Sequence, residues 1–141
     1  MSVYYMNEAA FELPDVKVVD STMTLLEFPS PSGRKIQINV QRFPLDPGKS
    51  LREIVTSQVG QATRSLRAYS VLFERDREIA GVPAIETAAR WRSGDDMIYT
   101  RQAHLAFDGT WLVLAGNAPL EERETCDGYL DGVLGTLRIR D

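Results

Sequence analysis

The chain has 141 residues, 43% hydrophobic and 26% charged, the size and balance of one folded domain that needs no disulfide or metal staple. A single histidine, His104, and a single cysteine, Cys126, exclude a Cys/His zinc site and an internal disulfide. Sixteen basic against twenty acidic residues, net −4, leave no field that would attract nucleic acid or an anionic membrane. The start, Met1 to Glu8, lacks the basic and apolar regions of a secretory signal, and no stretch approaches ~18 uninterrupted apolar residues. The expectation is a soluble, cytoplasmic chain with no cofactor.

Period-two segments rich in β-branched and aromatic residues open the chain, at 3–13, 16–28 and 34–43, cut by Pro14-Asp15, by Pro29 to Gly33 and by Pro44 to Gly48. Ser50-Leu-Arg-Glu53 then reads as a capping box. Spacing places Leu51, Ile54, Val55, Val59, Ala62 and Leu66 in one stripe of a helix over 50–67. Strands follow at 69–79, 83–92, 97–107 and 110–116, with Asp108-Gly109 as the clearest hairpin turn. A second helix is expected from Asn117, with Pro119 in its first turn, Glu121, Glu122 and Glu124 against its positive end, and Leu120, Cys126, Leu130, Val133, Leu134 and Leu137 on its apolar side. Connections this short between 69 and 116 demand antiparallel pairing, so the fold class is α+β: a mainly antiparallel sheet partly covered by helices.

Nothing in the sequence announces catalysis. There is no nucleophile elbow, phosphate loop or dinucleotide fingerprint, and His104 stands mid-strand on the face of Ile98, Thr100, Gln102 and Ala106 with no partner at a diagnostic spacing. Cys126 reads as a packed residue. More informative is Gln58, which falls inside the apolar stripe of the first helix, with Gln61 at its edge. An amide buried there without a partner costs ~1–3 kcal/mol, so either the backbone or a ligand satisfies it. Gln102 is a second amide of this kind. Alternation also gives one-sided apolar rows, Met23 with Leu25 and Ile36 with Ile38 and Val40, which are core or, if left bare, an interaction surface. Gly128, Gly132 and Gly135 share one side of the last helix, implying either close approach of a neighbour or an irregular helix.

Taken together, several short stretches resemble the DcrB-like family, and within it the Eag chaperones of bacterial type VI secretion. They are Tyr4 to Pro14 with Asn7-Glu8-Ala9 and Phe11-Glu-Leu-Pro14, Asp20 to Leu25, Gly81-Val-Pro-Ala84 before the strand carrying Trp91, and Arg101-Gln-Ala103. The resemblance implies a PsbP-like α/β sandwich, a curved antiparallel sheet with helices packed on one face. It also implies a cytoplasmic homodimer without enzymatic activity, whose groove shields the N-terminal transmembrane helices of a secreted effector before export. On that resemblance the client-binding positions are Met23, Leu25, Ile38, Val40, Gln58, Leu66 and Gln102. The alternatives are an envelope-associated member of the same family, for which a signal peptide and lipidation cysteine would be expected, or a protein that takes a small ligand on the sheet.

Overall fold

The computed structural model describes residues 23–139 in full and, of the remainder, only the backbone of 2–5 and 10–13. Strands β1 (Ser2–Tyr5) and β2 (Ala10–Leu13) form a two-stranded antiparallel ladder, so the segment expected at 3–13 is two strands. The rest builds a six-stranded sheet from β3 (Met23–Pro29), β4 (Lys35–Pro44), β5 (Arg67–Ile79), β6 (Val82–Ser93), β7 (Asp96–Phe107) and β8 (Thr110–Pro119). Residues 16–22 of the second expected strand lie outside the described residues.

The spatial order is β3-β4-β8-β7-β6-β5, antiparallel throughout. After the β3-β4 hairpin, helix α1 (Leu51–Ser65) carries the chain to the far edge, and a meander from β5 to β8 returns to pair with β4. Four strand spacings separate β4 from β5, roughly 19 Å, and a 15-residue helix spans roughly 22 Å, so one helix suffices for the crossing. Its capping box is present: the Ser50 hydroxyl accepts from the Glu53 amide at 3.1 Å, and the Ser50 amide donates to the Glu53 carboxylate at 3.4 Å.

Two hairpins turn through left-handed residue pairs, Asp108-Gly109 (φ 47° and 70°) and Ala80-Gly81 (φ 54° and 81°), which match the right-handed twist of the strands they join. The two sheet edges differ. β5 breaks register twice, around Ala68 and around Leu72, which blunts it against further pairing, whereas β3 pairs with β4 without a shift.

The second helix begins later than expected. Strand β8 continues through Asn117 to Pro119, because Thr100, Tyr99 and Ile98 of β7 still pair with it there. A single 3-10 turn (Leu120–Glu122) then leads into α2 (Arg123–Thr136). This helix is continuous through its glycines, and a methyl at Gly128, Gly132 or Gly135 would meet nothing within 4 Å, so no described neighbour approaches that side. Close approach occurs at Gly116 instead, where an added Cβ would lie 2.9 Å from the Cys126 Sγ and 3.6 Å from Leu130.

The α+β class and the antiparallel sheet are as expected, but the helices do not share a face. Cross-strand register puts Gly116, Arg101 and Ile38 on one side, and α2 packs there through Cys126, Leu130 and Leu134. The neighbouring residues along the same strands, Gln102, Ala115 and Asn39, point the other way, toward the side on which α1 crosses β5, β6 and β7. The reason is the connection. A crossover between strands of one sheet must run over one face, and the α2 face is already filled by the Ile38, Leu105, Leu114, Leu130 and Leu134 cluster.

Candidate functional site

The two faces are sealed to different degrees. Under α2 the core is closed, and Ile36, Ile38, Leu105, Leu114, Cys126 and Leu130 are fully buried. This overturns two expected contacts. Ile38 has no exposed surface and packs beneath α2, and Val40 sits half-buried at the rim of the same cluster. Their row faces α2, which needs an apolar floor; Ile38 is not open to a guest without displacing that helix, and the part of Val40 that stays exposed lies on the α2 side, away from Met23 and Leu25.

On the opposite face, α1 buries only Val55 completely. Ile54, Val59, Ala62 and Leu66 stay half-buried, although Ile85, Ala89, His104, Val113 and Ala115 on this face of β6, β7 and β8 are buried, so among the described residues what stays open is the part on β3 and β4. Gln58, Leu66 and Gln102, expected to act together, do meet: with Val59, Ala62, Tyr69, Thr87, Trp91 and Thr100 they line a cavity of about 120 Å³ beneath α1. Neither the Gln58 nor the Gln102 amide makes a hydrogen bond within the described residues, and burial raises the pKa of the Tyr69 hydroxyl. Met23 and Leu25 belong to the same face, at its outer edge on β3, 53% and 47% exposed.

Between that edge and α1 runs a strip floored by a row of amides missing from the sequence reading: Gln37, Asn39 and Gln41 of β4, with Asn117 of β8. The signal was there. Residues 36 to 41 alternate strictly between aliphatic and amide, and attention to the aliphatic half hid the other. Only Gln41 and Asn117 of this row have described partners, since the Gln41 Nε2 donates to the Met23 Sδ at 3.3 Å. At one end Phe43 and Trp111 close the strip, their rings 4.7 Å apart. At the other end lies a cleft of about 490 Å³ between Trp91, Ile98 and Pro119 on one side and Lys35, Gln37, Asn39 and Asn117 on the other. Trp91 Nε1 donates to Thr100 Oγ1 at 3.1 Å, and Thr100 donates in turn to Asn117 Oδ1 at 2.8 Å.

Titratable groups on both faces are shifted by burial and by their neighbours. His104 is fully buried, accepts from Trp111 Nε1 at 3.1 Å through Nδ1, and burial lowers its pKa to about 4, so it is neutral at physiological pH. Cys126 is pushed up to about 12 by burial and by Asp127, an unreactive thiol. On the α2 face, Glu86 is fully buried and receives Arg101, Arg75 and Arg77. Burial alone would raise its pKa, but the three guanidiniums outweigh that and hold it below the usual carboxylate range. Arg101 also reaches Asp127 and Asp131 of α2, at 3.3 and 2.7 Å, and the Tyr99 hydroxyl donates to Asp127 at 2.8 Å. These contacts tie the helix to the sheet. Among the described residues no cluster of histidine, cysteine and carboxylates could hold a metal, and no helix is long and apolar enough to cross a membrane.

The DcrB family model matches residues 8–136, nearly the whole of the chain. The chain belongs to the DcrB family. No curated protein matches it by sequence. Among solved structures it is similar to PA94 of Pseudomonas aeruginosa, a protein of unknown function, at 18% identity and a TM-score of 0.88, over 99% of this chain and 97% of that one. LpqN of Mycobacterium tuberculosis, involved in cell envelope biogenesis, aligns at 13% identity and TM-score 0.68, over 90% and 83% of the two chains. The cyanobacterial PsbP of Synechocystis sp. PCC 6803 aligns at 9% identity and TM-score 0.54, over 89% and 95%. At such identities the likeness is one of fold, and it places this DcrB-family chain in the expected PsbP-like architecture.

Proposed function

We propose that this DcrB-family chain is a non-enzymatic chaperone of the Eag type: a cytoplasmic homodimer that shields N-terminal transmembrane helices of a type VI secretion effector before export. The observation that carries this reading is the unequal closure of the two faces. α2 seals its side, whereas α1 leaves a strip bordered by exposed Met23 and Leu25 and floored by amides with unused hydrogen-bonding capacity.

The dimensions suit such a guest. Two strand spacings from β3 to β8 give a width of roughly 10 Å, against ~10–12 Å for a helix with its side chains, so the strip takes a single helix. Ten residues of β4 give a length of roughly 34 Å, against ~30 Å for a membrane-spanning helix. The chemistry suits it as well. Apolar side chains substitute for lipid, and side-chain amides offer the polar contacts that helices make to each other in a bilayer. Release then needs only a competing partner for the helix, with no nucleotide.

The test is coexpression with the N-terminal hydrophobic segment of an effector encoded nearby. The reading expects that segment to be insoluble alone and to copurify with this chain; a segment that stays soluble by itself, or fails to copurify, refutes it. The second reading is an envelope-associated or small-ligand-binding member of the family. The cleft beside Trp91 favours it, and a ligand of small-molecule size retained there through purification, with no helix bound, would establish it.

A further inference from the structure

The side of the sheet that carries α2 is not covered as far as its β5 edge. α2 packs against β8 and reaches across β7 to Arg101, but Arg67, Arg75, Arg90 and Arg92 on the outer two strands are exposed. We infer that Arg67, Arg75, Arg77, Arg90 and Arg92, grouped around Phe73, form a docking surface for an acidic segment of another protein.

Alternation collects the charge here. The β6 to β7 ladder has no register shift, so Glu86, Ala88, Arg90 and Arg92 of β6 share the α2 side with Tyr99 and Arg101 of β7. Their partners across the other ladder, despite the two shifts in β5, are Arg75, Phe73, Ser70 and Arg67. The carboxylates of β5, Glu74, Asp76 and Glu78, alternate onto the opposite side, where the first two hold Arg52 of α1. A chain of net charge −4 thus gathers arginines on one side of this edge.

The arginines exceed the carboxylates that pair with them. Glu86 takes Arg75, Arg77 and Arg101, and Arg101 also meets Asp127 and Asp131, so this group balances within itself. Arg67, Arg90 and Arg92 have no ion pair or hydrogen bond among the described residues. Asp95 and Glu124 line a separate cleft beside Met97 and bond to none of the arginines. Arg67 and Arg92 stand directly opposite each other, and like charges so placed destabilise a sheet. A carboxylate brought from outside would bridge them, and the planar guanidinium fork suits it, since two N–H groups meet the two oxygens at once. Phe73, half-buried with the Arg75 guanidinium 4.8 Å from its ring centre, adds an apolar contact midway. From Arg90 to Glu86 is four residues of strand, roughly 13 Å, the pitch of an extended segment with acidic residues four apart and an apolar one between them. A nucleic acid fits less well, because its dense charge would run on past the patch toward Asp127 and Asp131 of a chain that is negative as a whole. The surface lies across the sheet from the open strip, so the inference does not rest on the chaperone reading.

The experiment titrates the full chain into a fluorescein-labelled peptide of about twelve residues, glutamate alternating with serine around a central leucine, and follows anisotropy at low salt. The inference expects binding that weakens as salt is raised. It also expects at least about a tenfold loss in the double variant Arg90→Ser, Arg92→Ser and none in Arg64→Ser, which lies on α1 across the sheet. Arg92→Glu provides a second readout: it should pair with Arg67 and raise the thermal midpoint while weakening the peptide. No binding of the glutamate peptide, equal binding of its glutamine counterpart, tighter binding of a single-stranded oligonucleotide, or equal loss in Arg64→Ser would overturn the inference. Undiminished binding by Arg92→Glu would overturn it too, as would a lowered midpoint in that variant.

Discussion

Replacing Gly116 by alanine tests whether α2 is seated as closely as the structure places it. The added methyl would lie 2.9 Å from the Cys126 Sγ, well inside the ~3.5–4.0 Å at which heavy atoms attract, while Leu130 at 3.6 and 3.8 Å would be in ordinary contact. Cys126 is fully buried on a continuous helix, so relief requires its sulfur to rotate against packed neighbours or α2 to move outward, and overpacking of this kind costs ~1–3 kcal/mol. A glycine in a strand is itself unfavourable by ~0.5–1 kcal/mol relative to alanine, which offsets part of the loss. The net expectation is a destabilisation of about 1–2 kcal/mol. Cys126→Ala removes the opposing sulfur, so in the double variant the two changes should cancel by about 1–2 kcal/mol relative to their sum. Urea unfolding of the four proteins at constant slope measures each quantity. A Gly116→Ala chain more stable than the parent, or two changes that simply add, would refute the close seating of α2.

Leu25→Asp, on the exposed edge, should abolish capture of a hydrophobic segment while moving stability by no more than ~0.5 kcal/mol, whereas Ile38→Asp should prevent folding because it buries a charge beneath α2. Circular dichroism melts with copurification distinguish these outcomes, and a foldable Ile38→Asp would undo the assignment of the faces. Arg101→Met should cost ~3–5 kcal/mol in thermal unfolding, since it leaves Asp127 and Asp131 without their buried partner and Glu86 with two guanidiniums in place of three; a neutral effect would mean the network contributes little. His104 predicts an acid limb in stability. Its folded pKa of about 4 lies below the ~6.5 of an unfolded histidine, so the unfolded chain takes up a proton that the native one refuses. Stability should be full above pH 6.5 and fall by up to about 3 kcal/mol toward pH 4. His104→Phe should flatten that slope whatever its effect on the baseline, and a slope that survives would place its origin elsewhere.

Most of the sheet was legible because local chemistry dictated it. The Ser50 box starts α1, Asp108-Gly109 turns the clearest hairpin, and the segments expected at 34–43, 69–79, 83–92 and 97–107 became strands with ends shifted by one or two residues. The first segment failed differently, since 3–13 read as continuous where β1 and β2 are separate. The start of the second helix was misplaced for a nonlocal reason: Asn117 to Pro119 look like a helix entry by sequence, but β7 holds them in the ladder. Which face each helix occupies was not legible at all, because alternation divides a strand into two rows without saying which row is covered. That is why Ile38 and Val40 were grouped with Met23 and Leu25 although the two pairs face opposite ways. The Glu86 and Arg101 network was equally hidden, since its members come from β5, β6, β7 and α2 and are far apart in the chain.

The division between the faces lets residues of the open face vary without loss of stability. Every strand of the sheet carries two alternating sets of residues, and on β4 one set packs beneath α2 while the other lines the open strip. Gln37, Asn39 and Gln41 can be exchanged while Ile36, Ile38 and Val40 between them are kept, because the cost of a surface substitution is small and that of a core substitution is large. Sequence identity between relatives would then fall fastest on the open face while the backbone stays fixed. The burial contrast between α1, with Val55 alone fully enclosed, and α2, with Cys126, Leu130 and Leu134 enclosed, is the same separation seen in the helices. One helix stabilises the sheet, and the other forms a wall of the space beside it.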